Sequence, residues 1–378
     1  LTERPALAVV FPRAAVTGGV ERVALELLRY ESARRSTAFV GESLDGADVR
    51  HQPVRRRRVP AALRAPAFRR DAAAAVRRLN PHTTVSMGVN CPPGDVYWVH
   101  SVHRAWLADG GELVLRGIRV PAAVRRALLR HQVLLRLERD YFGRHRPRLV
   151  ICTSQREADD LRRYYDVPAE LLHVVPNGYD GAAFSAPRRA ALRADARRAV
   201  GAAPDDVVVL MVANEWHRKG LGTLLHAVAA VGDRRLRIDL VGAHAPDDYR
   251  PLARRLGLAD RLRWHGPARD VARYHAAADV FALPTVYEPF GLVIVEALAS
   301  GLPVVASRLA GASAAIDHGR TGFLLDDPRD AAELAGRLGT LLDAGVRDGM
   351  GTAAAGSVAE YEWQRVLERV DTLLFPTG

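Results

Sequence analysis

The sequence predicts an α/β protein of two parallel-sheet domains, and three observations predict it. Apolar runs of strand length alternate with helical patterns along most of the chain, which demands βα units and a sheet covered on both faces. The alternation stops at a Gly/Pro-punctuated stretch suited to a linker, PNGYDGAAFSAPRR (176–189), and then starts afresh. The chain has 378 residues, enough for two cores of ordinary size.

In the first series ALAVVF (6–11) reads as a buried strand and GVERVALELLRYESARR (19–35) as the helix after it. TTVSM (83–87), DVYWVH (95–100) and RLVICTS (148–154) follow as strands bounded by turn or helical signals. The second series opens with DVVVLMVAN (206–214) and continues through RIDLVG (237–242), RLRWHG (261–266), DVFALP (279–284) and LPVVAS (302–307). SVAEYEWQRVLERVDTLL (357–374) reads as an amphipathic helix that docks back on the first domain. The expected domains are residues 1–183, completed by 357–378, and residues 184–356. Ligands gather at the carboxyl ends of strands in such sheets, so two Rossmann-like domains are expected to face each other across a cleft.

Hydrophobic residues make up 48% of the chain and charged residues 26%, the profile of a soluble globular protein. No apolar run approaches the ~20 residues needed to span a bilayer. LTERPALAVVFPR lacks the basic-then-apolar layout of a secretion signal, so the expected location is the cytoplasm. Cys91 and Cys152 have no metal-ligand spacing and are too few for a disulfide framework; both read as small buried residues. A net charge of +11 favours anionic partners such as nucleotides, phosphates or headgroups. An overall Ala/Arg-rich bias explains the same charge. Nucleic-acid binding is not expected, because neither zinc-finger spacing nor an aromatic-basic RNA-binding signature is present.

Lys219, in NEWHRKG (214–220), is the sole lysine among 54 basic residues. An ammonium is a compact point charge that sits against a phosphate oxygen where a planar guanidinium is too wide. Arg218 and Lys219 are expected to open the helix KGLGTLLHAVAAV, where cations are unfavourable unless an anion shares the site. The pair therefore reads as a diphosphate clamp, against the plainer alternative of two solvated cations. TGGVER (17–22) places Gly18 and Gly19 at the first βα turn, an anion site by geometry but without the G-x-G-x-x-G of dinucleotide binders.

The block TVYEPFGLVIVEALASGLPVVAS (285–307) holds Glu288 and Glu296, separated by seven residues. With Pro289 at the first helical position, the amides of Phe290, Gly291 and Leu292 would lie in an exposed first turn, free to hold phosphate or sugar oxygens. Glu296 would lie two turns deeper, so the two carboxylates could bond different hydroxyls of one extended ligand.

That block, together with GGVER, VVPNGYD, VAN…RKG…LLHAVA and AAADVFALPT, resembles the retaining GT-B glycosyltransferases of family GT4. The resemblance runs from about residue 17 to the final helix, and GDVYWVHSVHRAWL looks most like the lipopolysaccharide glucosyltransferase and antibiotic-sugar branches. It implies a retaining hexosyltransferase that moves a sugar from a nucleoside-diphosphate sugar, UDP-sugar ahead of GDP-sugar, to a hydroxyl of a glycolipid, saccharide or natural-product acceptor. It also implies roles. Arg218 and Lys219 neutralise the diphosphate, Glu288 contacts donor-sugar hydroxyls and Glu296 the ribose. Gly18 and Gly19 close over the phosphates and the acceptor. Asn214, Gly242 and Arg269 (in GPARD, 266–270), with Phe290, Gly291 and Leu292, complete the donor set. His100 is assigned to the donor sugar, and His103, Arg104 and Trp106 to the acceptor pocket; a structural histidine is the alternative for either.

No cofactor and no metal are expected: D-x-D is absent, and the Arg-Lys pair can do the work of a cation. Residues 116–148 hold ten arginines against two acids around leucines at helical spacing. This segment reads either as an interfacial helix that meets an anionic membrane at its inner face or as a core-facing stripe with a solvated arginine face; RRRR (55–58) suits both. Two rivals remain: a nucleotide-sugar epimerase on the same fold, against which E-x7-E argues, and a non-catalytic basic nucleic-acid-binding protein.

Overall fold

The computed structural model describes residues 4–109, 114–115, 118–119, 128–145 and 147–376. The chain packs as two compact units. One holds the chain up to Asn177 together with the stretch from Trp363 onward, and the other holds Gly178–Glu362. The chain passes between units at 177/178 and 362/363, where the sequence expectation had 183/184 and 356/357.

The first unit runs β1 (Leu7–Val10), α1 (Gly19–Ser32), β2 (Thr37–Gly41), β3 (Arg50–Pro53), α2 (Ala61–Leu79), β4 (Thr83–Ser86) and β5 (Val96–Val99). It continues with α3 (His103–Asp109), α4 (Leu129–Gly143), β6 (Leu149–Cys152), α5 (Gln155–Tyr165) and β7 (Leu172–Val174). Its seven-stranded sheet has the order β7-β6-β5-β4-β1-β2-β3, all pairs parallel. Every residue of β1, β5 and β6 is buried, so both faces of the sheet are covered, as uninterrupted apolar strands require. β3 reads RHQP and is half exposed, which suits an edge. Cys91 and Cys152 are both free and buried.

The second unit runs α6 (Ala186–Val200), β8 (Val207–Val212), α7 (Leu221–Val231), β9 (Leu236–Val241), α8 (Arg250–Arg255) and β10 (Leu262–Trp264). After these come α9 (Ala272–Ala277), β11 (Val280–Leu283), α10 (Leu292–Ala299), β12 (Val304–Ser307), β13 (Gly322–Leu325), α11 (Ala331–Thr340) and α12 (Ala344–Ser357). Its six parallel strands have the order β10-β9-β8-β11-β12-β13. The core gathers apolar side chains of β8 and β9 with those of α7 and α11.

Three expectations need correction. The stretch 176–189 is packed rather than a solvated linker: Tyr179 and Phe184 are buried, and Tyr179 N donates to Tyr361 O at 2.9 Å. That bond holds the two crossing segments together inside the second unit. The helix expected over 357–374 is broken, because α12 ends at Ser357 and a 3₁₀ turn spans Ala359–Tyr361 before α13 (Trp363–Leu374). Glu362, with an extended backbone (φ −65°, ψ 137°), separates the turn from α13. Finally, β2, β3, β7 and β13 are strands beyond those read from the sequence.

α13 buries Trp363, Val366, Leu367, Val370 and Leu374, one helical stripe, within the first unit. Arg35 clamps it there: its guanidinium pairs with Asp371 at 2.6 Å and Glu31 at 3.0 Å and lies 3.7 Å from the Phe375 ring centre. Glu31 is fully buried, and burial raises its pKa to about 7 against the opposing pull of Arg35.

The second unit has its own charged anchor. Asp279, 8% exposed, accepts from Val208 N at 2.8 Å and from Arg197 Nη1 at 2.9 Å, and pairs with Arg193 as well. It thereby ties α6 to the adjoining ends of β8 and β11. Asp279→Ala would strand these donors, and a loss of about 3 kcal/mol is expected in urea unfolding. An unchanged midpoint would mean that the anchor carries no stability.

Candidate functional site

β8 ends at Val212, and the chain turns through residues 213–220 before α7 begins at Leu221. Arg218 and Lys219 therefore lie in the turn ahead of the helix rather than opening it. Gly220 explains the difference, since its φ of 84° is left-handed and interrupts helical geometry. A Cβ there would meet the Pro284 carbonyl oxygen at 2.0 Å, so only glycine fits. Two bonds dock the turn on the segment after β11: Val286 N donates to Arg218 O at 3.0 Å, and Thr285 Oγ1 donates to the same oxygen at 3.1 Å.

This docking brings Lys219 into contact with Glu288 through Nζ and Oε2. Arg218 Nη1 lies 3.5 Å from the same carboxylate oxygen and donates to Tyr287 O at 2.5 Å, while its Nε donates to Glu215 at 2.5 Å. Lys219 is 8% exposed. Burial, then the neighbouring Arg218 guanidinium, pull its pKa well below the usual lysine value, and Glu215 opposes them. The Glu288 carboxylate in contact also favours the charged form. The cluster has two cations and two carboxylates, of which Glu215 is mostly solvated. An anion arriving here can displace a carboxylate from donors already in place.

The block after β11 differs from expectation. Glu288 bridges to Ala310, with Gly311 N donating to Glu288 O at 3.0 Å and Ala312 N to Phe290 O at 2.7 Å. These bonds hold the chain extended through Pro289, so α10 starts only at Leu292, with Gly291 as its N-cap. Phe290, Gly291 and Leu292 are buried rather than forming an exposed first turn. Gly291 lies against Glu288, its would-be Cβ 3.1 Å from Glu288 Cγ. Glu296 is 2% exposed and within electrostatic reach of the buried His275, whose pKa burial lowers and Glu296 raises.

The strand ends beside β8 assemble a second patch. Asn214 Oδ1 accepts from Ala243 N at 2.9 Å, and Gly242 N donates to Gly266 O at 3.0 Å. At Gly242 a Cβ would lie 1.7 Å from the Ala213 carbonyl oxygen, so the two loops touch only because that position is glycine. Asn214, Gly242 and the start of 266–270 thus lie side by side, with Arg269 exposed beyond them.

In the first unit, Gly18 is the N-cap of α1 and Gly19 its first residue, both exposed. Glu21 already occupies that helix end, its Oε2 only 2.3 Å from where a Gly18 Cβ would stand. His100 follows β5 and stacks on Trp98 at 5.7 Å. Burial lowers its pKa to about 3, and its Nε2 is buried with no partner among the described residues.

His103 belongs to a different cluster. It stacks on Trp106 at 5.3 Å and on His131 at 5.1 Å, with Nε2 3.1 Å from His131 Nδ1. Burial, then His131 and Arg130, lower its pKa to about 4. Glu138 caps α3 by accepting from His103 N and, at 3.0 Å, from Arg104 N; Tyr165 Oη donates to it at 2.5 Å. Arg104 is exposed near the Tyr164 ring. The sequence reading missed His131, Glu138, Tyr165 and Glu215. Two of these carried a signal: Glu138 is one of two acids in an arginine-rich stretch, and Glu215 stands three residues before Arg218. In segment 116–148, residues 116–117, 120–127 and 146 lie outside the described residues. The buried face of α4 carries His131, Glu138, Tyr141 and Phe142, so it is no simple leucine stripe.

The sequence profile described as Glycosyltransferase Family 4 matches residues 17–182, and that described as Glycosyl transferases group 1 matches residues 206–344. The chain belongs to the family 4 glycosyltransferases. A D-inositol 3-phosphate glycosyltransferase of Corynebacterium jeikeium is 30% identical to it, the match covering 74% of this chain and 66% of that one. One of the same name from Actinosynnema mirum is 33% identical, over 71% of this chain and 64% of its own length. Across eight such relatives, the matched segments cover 50% to 66% of their lengths. The chain also shares the GT-B fold of WaaG, a glycosyltransferase involved in lipopolysaccharide biosynthesis: TM-score 0.83, 19% identity, 98% of this chain and 100% of that one. Anabaena HepE, solved with UDP and glucose, superposes with TM-score 0.72 at 21% identity over 99% and 100% of the two chains.

Gly220→Ala should cost at least about 1 kcal/mol in chemical denaturation, because alanine is strained at this φ and collides with Pro284. A neutral outcome would show that the docked turn is dispensable. His100 and His103 predict a second result. Proton titration by NMR should leave both neutral down to about pH 4, while the buried His275 also titrates below the ordinary histidine value. Because the folded pKa values of His100 and His103 lie below the ordinary 6.5, the stability they contribute is present above pH 6.5 and lost as the pH falls toward 4 and 3. Titration of both near 6.5 would contradict their burial.

Proposed function

We propose that this glycosyltransferase moves a hexosyl group, with retention of configuration, from a nucleoside-diphosphate sugar to an acceptor hydroxyl. The observation that carries the reading is the cluster of Arg218, Lys219 and Glu288 at adjoining strand ends. Arg218 is held by main-chain bonds to the segment after β11, and Lys219, the one lysine in the chain, is buried against Glu288. Such preorganised donors stabilise charge that develops on a leaving diphosphate. UDP ahead of GDP is the favoured base carrier, in keeping with the UDP complex of the HepE neighbour.

In the proposed reaction the diphosphate takes the place of the carboxylates beside Arg218 and Lys219. Glu288 turns to the hydroxyls of the donor sugar and Glu296 to the ribose. Phe290, Gly291 and Leu292 offer main-chain groups, and Asn214, Gly242 and Arg269 border the base. His100 meets the donor sugar; His103, Arg104 and Trp106 meet the acceptor; Gly18 and Gly19 close over the phosphates. The sugar–phosphate bond breaks while the acceptor oxygen bonds the anomeric carbon on the same face. The acceptor proton passes to the departing phosphate oxygen. No nucleophilic carboxylate is needed, and most of the acceleration comes from positioning and charge stabilisation. The two cations let the reaction run without a metal.

The acceptor is proposed to be a glycolipid, a saccharide or a natural product, and the site of action the cytoplasm, with attachment to an anionic membrane through 116–148. Among the described residues, no helix is long and apolar enough to cross a membrane.

Lys219→Ala should lower turnover of a UDP-hexose at least ~10²-fold, the usual consequence of removing a charge-stabilising donor, in an assay run in EDTA. Glu288→Ala should abolish use of the sugar while leaving UDP binding nearly intact. Transfer by Lys219→Ala at wild-type rate would refute the clamp, and dependence on an added divalent ion would refute its metal independence.

A further inference from the structure

The stretch after β5 carries residues assigned to both partners of the reaction: His100 to the donor sugar, and His103, Arg104 and Trp106 to the acceptor. α3 begins at His103, and Val102 ahead of it has no side-chain acceptor. Its first turn holds no acid either. The helix runs only from His103 to Asp109, and a helix well under ~12 residues does not hold itself together in water. Something outside it must satisfy its first N–H groups.

A carboxylate from another helix does so. Glu138, fully buried on α4, accepts from His103 N through Oε1 and from Arg104 N through Oε2, the latter at 3.0 Å. About two turns earlier on the buried face of α4, His131 Nδ1 lies 3.1 Å from His103 Nε2. α4 therefore grips His103 twice, by its main chain and by its ring. Tyr165, the last residue of α5, donates its hydroxyl to Glu138 Oε2 at 2.5 Å. Three helices meet at one carboxylate.

We propose that Glu138 is a positioning residue for sugar transfer: by capping α3 it sets where His103, Arg104 and Trp106 stand and, through the short link Ser101–Val102, where His100 stands. The role rests on the glycosyltransferase reading. The cap depends on charge. Ionised, Glu138 accepts from all three donors; protonated, it carries a hydrogen of its own among them, and its remaining bonds fall to about half strength. Burial pushes its pKa up to about 7, against the pull of Tyr165 and the two amides. The charged and titratable groups around it are His103 and Arg104 on α3, Tyr165 on α5, and His131 and Arg139 on α4 itself. His103 titrates only near 4, well clear of this step. α3 is thus held firmly above pH 7 and loosened below it.

The test follows UDP or GDP release by the whole protein between about pH 5 and 9, with water as acceptor and the fastest of UDP-glucose, UDP-galactose and GDP-mannose as donor. Wild-type turnover should fall on the acid side of 7. E138Q cannot accept from both amides; it should lower kcat at least about tenfold at alkaline pH and lose the acid limb, with affinity for the free nucleoside diphosphate unchanged. Y165F keeps both amide bonds but removes a donor that favours the ionised form. Its limb should move to higher pH while kcat beyond the limb stays within about twofold of wild type, which settles the matter even where E138Q does not fold. Amide exchange read by mass spectrometry needs no substrate: residues 103–109 should exchange at least about tenfold faster in E138Q. Unaltered exchange of α3 in E138Q, full turnover by E138Q, or an acid limb that neither variant moves overturns the proposal. A wild type inert toward all of these donors, with α3 exchange still following Glu138, marks instead the failure of the transferase reading.

Discussion

The second unit is organised around one buried ammonium held against a carboxylate. Taking a lysine out of water is unfavourable unless a charge partner and fixed donors surround it. Lys219 has both, because β8 and β11 are neighbours in the sheet and deliver their following loops to one place. The one lysine among the chain's 54 basic residues stands where its charge is largely shut off from water and held against a carboxylate.

The parallel topology explains why the remaining candidates gather near it. Strands β9, β8, β11 and β12 lie side by side, and all run the same way. Gly242, Asn214, Glu288 and the loop that receives Phe290 each follow one of them. The first unit repeats the device, with five consecutive strand ends opening on one arginine-rich cavity. In both units the sheet brings together residues that are far apart in sequence.

The two-unit α/β architecture was legible because long apolar runs such as VVVLMV and LAVV leave no other burial pattern open. Polar or short strands were not: β3 reads RHQP, and only pairing with β2 makes it a strand. Arg218, Lys219 and Glu288 could be picked out by residue type and spacing, and the structure brings them into contact. Their backbone settings could not be read, since the Glu288–Ala310 bridge that delays α10 by three residues depends on a loop 22 positions away. His103 shows the same limit. Its cluster is built by His131 and Glu138 from a different helix, a juxtaposition that no local pattern encodes.

The arrangement of α13 bears on the order in which the protein is made. Both ends of the chain fold into the same unit, and the other unit is inserted between them. On the ribosome, the face of α1 that Arg35 helps to close must wait, its apolar stripe uncovered, until the whole intervening unit has emerged. The inserted unit, with its own core and sheet, emerges complete before the last helix of the first unit does. The nascent chain thus passes through a stage in which half of it is finished while the older half is still vulnerable to misassociation.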